Sequence, residues 1–153
     1  MDNILGTEFE ISLRYILLLD IAEDYPMTET RLCALDFIAT YAADFNYSDE
    51  NLHGISSYRF SEYLHRQMEA KAAIKSLVLT GLAKVKANKQ GFFYSLSRTG
   101  KEKAPLLKSD YANEYWNIAC VLFDDTRNMS DTQLSALIHR KMNDSLEEMR
   151  IDK

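Results

Sequence analysis

The chain has 153 residues, of which 46% are apolar and 27% charged, as in an ordinary soluble protein of one domain, or of one domain with appended helices. Aromatic residues make up 11% of the chain, with only five glycines and two prolines, which excludes a largely disordered chain and disfavours a doubly wound nucleotide-binding fold. The net charge of −5 is uneven: residues 1–58 carry −9, residues 59–103 carry +7 and residues 104–153 carry −3. An acidic protein with a basic middle third suggests an anionic partner, although a solvated lysine face gives the same pattern.

No sequence pattern predicts a cofactor, a metal or catalysis. The two cysteines are far apart and the three histidines are isolated, so the four clustered ligands of a zinc site are not expected. Phosphate-binding loops, Ser/His/Asp patterns and HExxH motifs are missing from the sequence. No basic signal region opens the chain, and its longest strongly apolar run is five residues, whereas a membrane span needs about 20. We therefore expect a cytoplasmic protein without enzymatic activity, cofactor or membrane contact.

Helical periodicity predicts two helices in the acidic N-terminal part. The first covers residues 8–24 and ends before Pro26, and Thr28 N-caps the second, which continues to about Phe45. The polar stretch 46–57 is expected to be a long loop. Three charged residues of the first helix are assigned to a solvated face: Glu8, Glu10 and Arg14.

The basic middle third predicts helices followed by a hairpin. The longer helix ends at Gly81, and Ser97 caps a short helical turn that ends near Pro105. The predicted elements are a short helix at 59–65, a longer helix at 68–80, and strands at 82–86 and 92–96.

This order of elements resembles a winged helix-turn-helix. The recognition helix of that fold commonly ends in Gly-Leu, as at Gly81 and Leu82, and its wing commonly closes with a YxLTxxG pattern, which here reads YSLSRTG at residues 94–100. The predicted fold class is mainly α: a winged helix-turn-helix with a two-stranded wing plus extra N-terminal and C-terminal helices.

A winged helix can bind double-stranded DNA, with the outer face of residues 68–80 in the major groove and the wing on the phosphates. Because that face offers no arginine or asparagine pair, we expect mostly sequence-independent, salt-sensitive binding. Winged helices also act as protein–protein modules, so both interpretations stay open. The predicted DNA-contacting residues are Lys71, Lys75, Lys84, Lys86, Lys89 and Arg98.

Two helices are predicted in the C-terminal third, at residues 109–125 and 130–149. Ser130 and Gln133 form a capping box at the start of the second one, and its apolar stripe either packs on its own domain or enters a groove on a partner. We expect a winged-helix adaptor domain at residues 1–125, including an N-terminal helical extension, and an appended amphipathic helix at 126–153. The predicted partner-binding residues are Tyr58, Arg59, Trp116, Leu134, Ile138 and Met142.

An ordered set of residues in the N-terminal half is not explained by a generic winged helix. The set comprises residues 6–10 (GTEFE), Leu13 and Arg14, residues 17–20 (LLLD), 32–37 (LCALDF), 43–45 (ADF) and 51–54 (NLHG), then Tyr58, Arg59, Glu62 and Arg66. In this order and spacing it resembles the small middle component of ABC-three-component systems, which include the Lamassu anti-phage defence systems. The resemblance covers about residues 3–123, so the helix at 130–149 lies outside it, and Gly54-Ile55 stands where proline is expected.

This resemblance implies a non-catalytic adaptor that links an SMC-like coiled-coil ATPase to an effector subunit, often a nuclease. DNA sensing would belong mainly to the ATPase, with the basic third of this chain available to help. The alternative is a free-standing winged-helix transcription regulator, which would bind two DNA half-sites as a homodimer. A free-standing nuclease is a third possibility, but no cluster of residues in the sequence supports it.

Overall fold

A computed structural model describes residues 7–52 and 59–151. In these ranges the chain forms six α-helices and one antiparallel pair of strands, with short 3-10 turns at Ala42–Phe45 and Ala104–Leu106. The fold is mainly α and winged-helix-like, as predicted, and none of the described helices is long and apolar enough to cross a membrane. The helices are α1 (Glu8–Ala22), α2 (Glu29–Thr40), α3 (Arg59–Leu79), α4 (Arg98–Lys103), α5 (Asp110–Thr126) and α6 (Asp131–Ile151), and the strands are β1 (Ala83–Asn88) and β2 (Gly91–Leu96).

Five of the six described helices follow a residue whose side chain caps their first turn. The Thr28 hydroxyl accepts a hydrogen bond from the Arg31 backbone N–H at 3.1 Å, as predicted for the start of α2. Ser130 and Gln133 form the predicted capping box, in which each side chain accepts from the other residue's backbone N–H, at 3.1 and 2.7 Å. At its other end α2 stops at Thr40, short of the predicted Phe45, because the chain tightens there into a 3-10 turn.

Helix α3 is a single element of 21 residues, and the prediction of two helices with a break near residue 67 was wrong. No glycine or proline occurs within it, so nothing in the sequence ends the helix there. One face of the helix is buried along its second half, at Ala70, Ala73, Ile74 and Leu77.

Strands β1 and β2 form the wing. Asn88 pairs with Gly91, so the turn between the strands consists of Lys89 and Gln90. Met27 adds a third, one-residue strand on the far side of β2. Its N–H and C=O bond the backbone of Tyr94 at 2.9 and 2.8 Å. The wing is therefore joined to the segment between α1 and α2.

The segment that follows β2 also bonds to the chain at the end of α3. Gly81 takes a positive φ of 79° after the last turn of α3, a conformation that suits glycine. The Ser97 hydroxyl donates to the Gly81 carbonyl at 2.5 Å and accepts from the Gly100 N–H at 3.0 Å. A Cβ on Gly100 would collide with the Leu82 carbonyl. These contacts give a structural reason for serine and glycine in the YSLSRTG segment.

Helix α6 packs on α2 as part of the same hydrophobic core. Leu134 and Ile138 on its apolar stripe are 0% exposed, so this part of the stripe covers the chain's own core, whereas Leu146 farther along is 58% exposed. Of the two alternatives for this helix, the structure therefore shows packing on its own domain. These two side chains are not accessible to a partner while α6 stays in place.

Arg31 of α2 holds the turn that leads into α6. Its guanidinium donates to the carbonyls of Thr126 and Met129 at 2.6 and 2.7 Å and pairs with Asp131 at 3.2 Å. Thr28 donates to the other Asp131 carboxylate oxygen at 2.5 Å. The C-terminal end of α5 and the first residue of α6 are thus both anchored to the start of α2.

Candidate functional site

The most polar part of the core is a buried ionic cluster centred on Asp36, which we define as Arg14, Asp36, Arg66 and Tyr115. Arg14 forms two parallel bonds to the Asp36 carboxylate, from Nε at 2.7 Å and from an Nη at 3.0 Å. The Tyr115 hydroxyl donates to it at 2.8 Å, and an Arg66 Nη lies 3.5 Å from its second oxygen. The cluster joins α1, α2, α3 and α5 at one carboxylate.

Arg66 connects this cluster to a second acid near the start of α3. It donates to the Thr40 hydroxyl at 2.7 Å and to the Glu62 carboxylate at 3.2 Å, and Tyr41 donates to the same Glu62. The guanidinium also lies over the rings of Phe37 and Tyr41, at 5.7 and 5.5 Å from their centroids. Aromatic faces and acceptors together surround a charge that would otherwise be costly to bury.

The charges of the cluster fix its protonation. Burial disfavours the ionised Asp36, but Arg14 and Arg66 outweigh burial and hold the pKa of Asp36 below its ordinary value. Burial first, and then the Asp36 charge, raises the pKa of Tyr115 well above 10.0, so Tyr115 keeps its proton and acts only as a donor. Neither Asp36 nor Tyr115 changes protonation near neutral pH, which is unlike the poise of a general acid or base.

Arg14 corrects one expectation. It was assigned to a solvated face with Glu8 and Glu10, but it is only 1% exposed because its guanidinium pairs with Asp36. The partner is 22 residues away, on a helix whose position the local periodicity of α1 does not reveal. An aspartate within the apolar stretch of α2 was the available sequence signal, since a buried acid requires a cationic or hydrogen-bonding partner.

Several residues that carry the family resemblance meet in and around the cluster. Arg14, Asp36, and the pair Glu62 and Arg66 come from three separate parts of that ordered set and converge in the core. Asn51, from a fourth part, accepts a hydrogen bond from the Ala43 N–H at 2.8 Å and so ties its loop to the 3-10 turn. In this chain these members of the set hold the fold together.

The residues predicted to contact DNA are all exposed, but they do not form one surface. Lys71 and Lys75 lie four residues apart on the outer face of α3. Lys84 and Lys86 alternate with Val85 along β1, so their side chains project from the face of the wing opposite to that of Val85.

That lysine face of the wing borders acidic residues of the same chain. Lys84 and Lys86 line a cleft of about 340 Å³ together with Glu23 and Asp24 from the end of α1. In the same cleft Lys101 lies 3.7 Å from Asp24. These acids weaken the positive field of the wing on this side. The other two predicted residues lie at the wing turn, Lys89, and at the start of α4, Arg98, which pairs with Glu102 at 3.6 Å.

The predicted partner-binding residues fall into three groups. Leu134 and Ile138 belong to the core, as described above. Trp116 and Met142 are half-buried, and Trp116 lines a cleft of about 330 Å³ between α1 and the segment that leads into α5. Tyr58 and the side chain of Arg59 lie outside the described part of the chain.

An exposed apolar row on α3 was not predicted from the sequence. Leu64, Met68 and Leu79 are 54%, 73% and 75% exposed. They share the outer face with the two lysines, and we define the α3 stripe as Leu64, Met68, Lys71, Lys75 and Leu79. Spacings of three and four residues from 64 to 79 were the sequence signal, but the prediction of two shorter helices divided the row.

The comparisons with known proteins identify the family of this chain. Residues 4–148 match the family model described as ABC-three component (ABC-3C) system Middle Component 2, whereas comparisons with curated proteins and with solved structures gave no match. The matched segment includes most of α6, which corrects the expectation that the helix at 130–149 lies outside the resemblance. It also contains the buried ionic cluster, the wing and the α3 stripe. The chain therefore belongs to the Middle Component 2 family of ABC-three component systems.

Proposed function

We propose that this protein is a non-catalytic adaptor of a bacterial anti-phage defence complex of the Lamassu type, acting in the cytoplasm. It links an SMC-like coiled-coil ATPase to an effector subunit, which we propose is a nuclease. The observation that carries this proposal is the family match over residues 4–148, because a middle component is by its name one part of a multi-subunit system.

The chemistry of the core supports an adaptor role. The groups of the buried ionic cluster, three charged and one neutral, bond one another across four helices, so their contribution is to fix the relative positions of those helices. A scaffold of this kind can present exposed faces in a constant geometry, which an adaptor between two larger subunits needs.

We assign DNA sensing mainly to the ATPase, with the wing adding contacts to phosphates. Lys86 on β1 and Lys89 at the wing turn are exposed and carry the charge for such contacts. Contacts to phosphate alone are independent of sequence and weaken steeply with salt. The wing surface is therefore suited to a subunit that contacts DNA already bound by another protein.

The test is affinity purification of this chain, tagged in its native operon, at about 150 mM salt, where weak surface charge pairs are screened. We expect a large coiled-coil ATPase at a fixed ratio to this chain, identified by mass spectrometry. A Lys86→Glu/Lys89→Glu variant should retain the same proteins and carry less DNA. Arg140→Glu/Lys141→Glu on α6, which also reverses two positive charges, is the matched control.

Recovery of this chain alone, as a dimer that carries DNA of one preferred sequence, would overturn the adaptor proposal. The free-standing winged-helix regulator would then take its place. Cleavage of DNA by the purified chain would contradict the non-catalytic assignment.

A further inference from the structure

The α3 stripe is the part of the described surface where exposed apolar side chains concentrate. Ten large apolar side chains are exposed among the described residues, and five of them lie on α3 or the wing. At 100° per residue, the five members of the stripe fall within an arc of about 80°. From Leu64 to Leu79 the row extends for about 22 Å along the helix axis.

The wing extends this apolar surface. Val85, Phe92 and Tyr94 share the wing face that begins with the buried pair Ala83 and Leu96. Towards the wing turn this face becomes exposed, with Phe92 at 62%.

Helix α3 and the apolar wing face share a neighbour at the start of α2. Burial raises the pKa of Glu29 and the Lys71 ammonium partly offsets that shift, whereas burial and then the Glu29 charge raise the pKa of Tyr94. Lys71 and Tyr94 therefore both lie within electrostatic range of Glu29. The apolar wing face and the Lys71 side of α3 thus both lie near the start of α2.

The composition of the stripe suits a protein better than DNA. Surfaces that bind DNA are strongly positive and polar, and in the major groove large apolar side chains find mainly thymine methyl groups. The stripe instead offers three large apolar side chains and two lysines, with no arginine, asparagine or glutamine among them. Apolar residues at spacings of three and four are typical of surfaces that pair with an amphipathic helix.

We propose that the α3 stripe docks an acidic amphipathic helix of another subunit of the same complex. Its apolar face covers Leu64, Met68 and Leu79, and its aspartates or glutamates pair with Lys71 and Lys75. A helix of about 15 residues matches the length of the row. This inference rests on the proposed function, because it takes its partner from the assembled system.

The experiment uses the full chain, co-expressed with the other subunits of its operon, with a photo-reactive benzoylphenylalanine in place of Met68. We expect a crosslink to one segment of a partner subunit that is acidic and has an apolar residue every three or four positions. The same probe in place of Leu146, which is 58% exposed on α6, is the matched control and should not label that segment.

A substitution gives an independent measurement. Met68→Glu should weaken binding of the crosslinked subunit about tenfold or more, because it places a negative charge against an acidic helix. Leu146→Glu should leave binding unchanged. Since Met68 and Leu146 are both exposed, each variant should melt with the unmodified protein.

The possible negative results have different consequences for the two proposals. A complex that assembles normally but gives no protein crosslink from position 68, or a crosslink to DNA, overturns this inference and leaves the adaptor proposal intact. Failure of the unmodified chain to assemble with any other subunit overturns both.

Discussion

At the scale of single residues, Asp36 is the charge that organises the core. Burying an ion pair costs several kcal/mol per ion in desolvation, so such a group persists only where its partners are well placed. Here two arginines and a tyrosine hydroxyl surround one carboxylate. The geometry constrains where α1, α3 and α5 can lie against α2, because each of them supplies one partner.

Replacement of Tyr115 by phenylalanine tests this arrangement through its pH dependence. Because the pKa of Asp36 lies below its ordinary value, the stability it confers is present above the unfolded pKa of about 3.9 and is lost as the pH falls through the folded value. Tyr115→Phe removes a hydrogen bond to the charged form, so the folded pKa of Asp36 rises. We expect the free energy of unfolding at pH 7 to fall by about 1.5–3 kcal/mol, with a shallower dependence on pH in the acid range.

Urea unfolding between neutral and acid pH measures both effects. Tyr25→Phe, at a ring that is 39% exposed and packs edge-on against Phe123, is the matched control and should change neither. A loss of stability that is the same at acid and neutral pH would mean that the hydroxyl acts through packing and not through Asp36.

At the scale of elements, the helix starts could be predicted from the sequence because capping depends only on neighbouring residues. Thr28, Ser97 and the pair Ser130 and Gln133 cap helices where expected, because a hydroxyl or amide near a helix start bonds the first backbone N–H groups whatever lies elsewhere. The burial of Arg14 depends on a partner in a different helix, and no local pattern indicates it.

Arg31 gives an element-scale prediction. Its fork reaches two carbonyls and a carboxylate at the α5–α6 turn, which a lysine cannot do at once because its ammonium is a single point of charge. Arg31→Lys should lower the free energy of unfolding by about 1.5–3 kcal/mol and speed amide hydrogen exchange at the start of α6.

Hydrogen exchange followed by mass spectrometry resolves this region. Arg140→Lys, an exposed position on α6 itself, should exchange like the unmodified protein. Equal exchange in the two variants would show that Arg31 does not hold the turn.

At the scale of the whole molecule, the packing of α6 decides whether this helix unfolds together with the rest of the chain. An appended helix would melt separately from the domain at residues 1–125. The burial of Leu134 and Ile138 against α2 leads us to expect a single unfolding transition that includes α6.

Two leucines on the same helix provide the test. Leu134→Ala should lower the free energy of unfolding of the entire chain by about 2–5 kcal/mol, because it leaves a cavity in the core. Leu146→Ala, at an exposed position, should change it by less than about 0.5 kcal/mol. Calorimetry and circular dichroism measure the transition, and a separate early melting of α6 in the Leu134 variant would contradict a single unit.

The family and most elements could be predicted from the sequence, because both depend on ordered residues and local periodicity. The exposed apolar surface on α3 could not. Whether an apolar residue such as Met68 is buried or exposed depends on which other elements cover its face, and this was available only from the assembled fold.

The cluster around Asp36 also bears on how the protein is made. Its partners are at positions 14, 66 and 115, so the carboxylate lacks its full set of partners until the ribosome has synthesised residue 115. Chains are synthesised from the N-terminus at about 5–20 residues per second. For some seconds α1 and α2 are therefore present before Tyr115 of α5 has been added. During synthesis α1 and α2 therefore cannot complete the cluster until α5 has been made. The core does not close in the order in which its helices are translated.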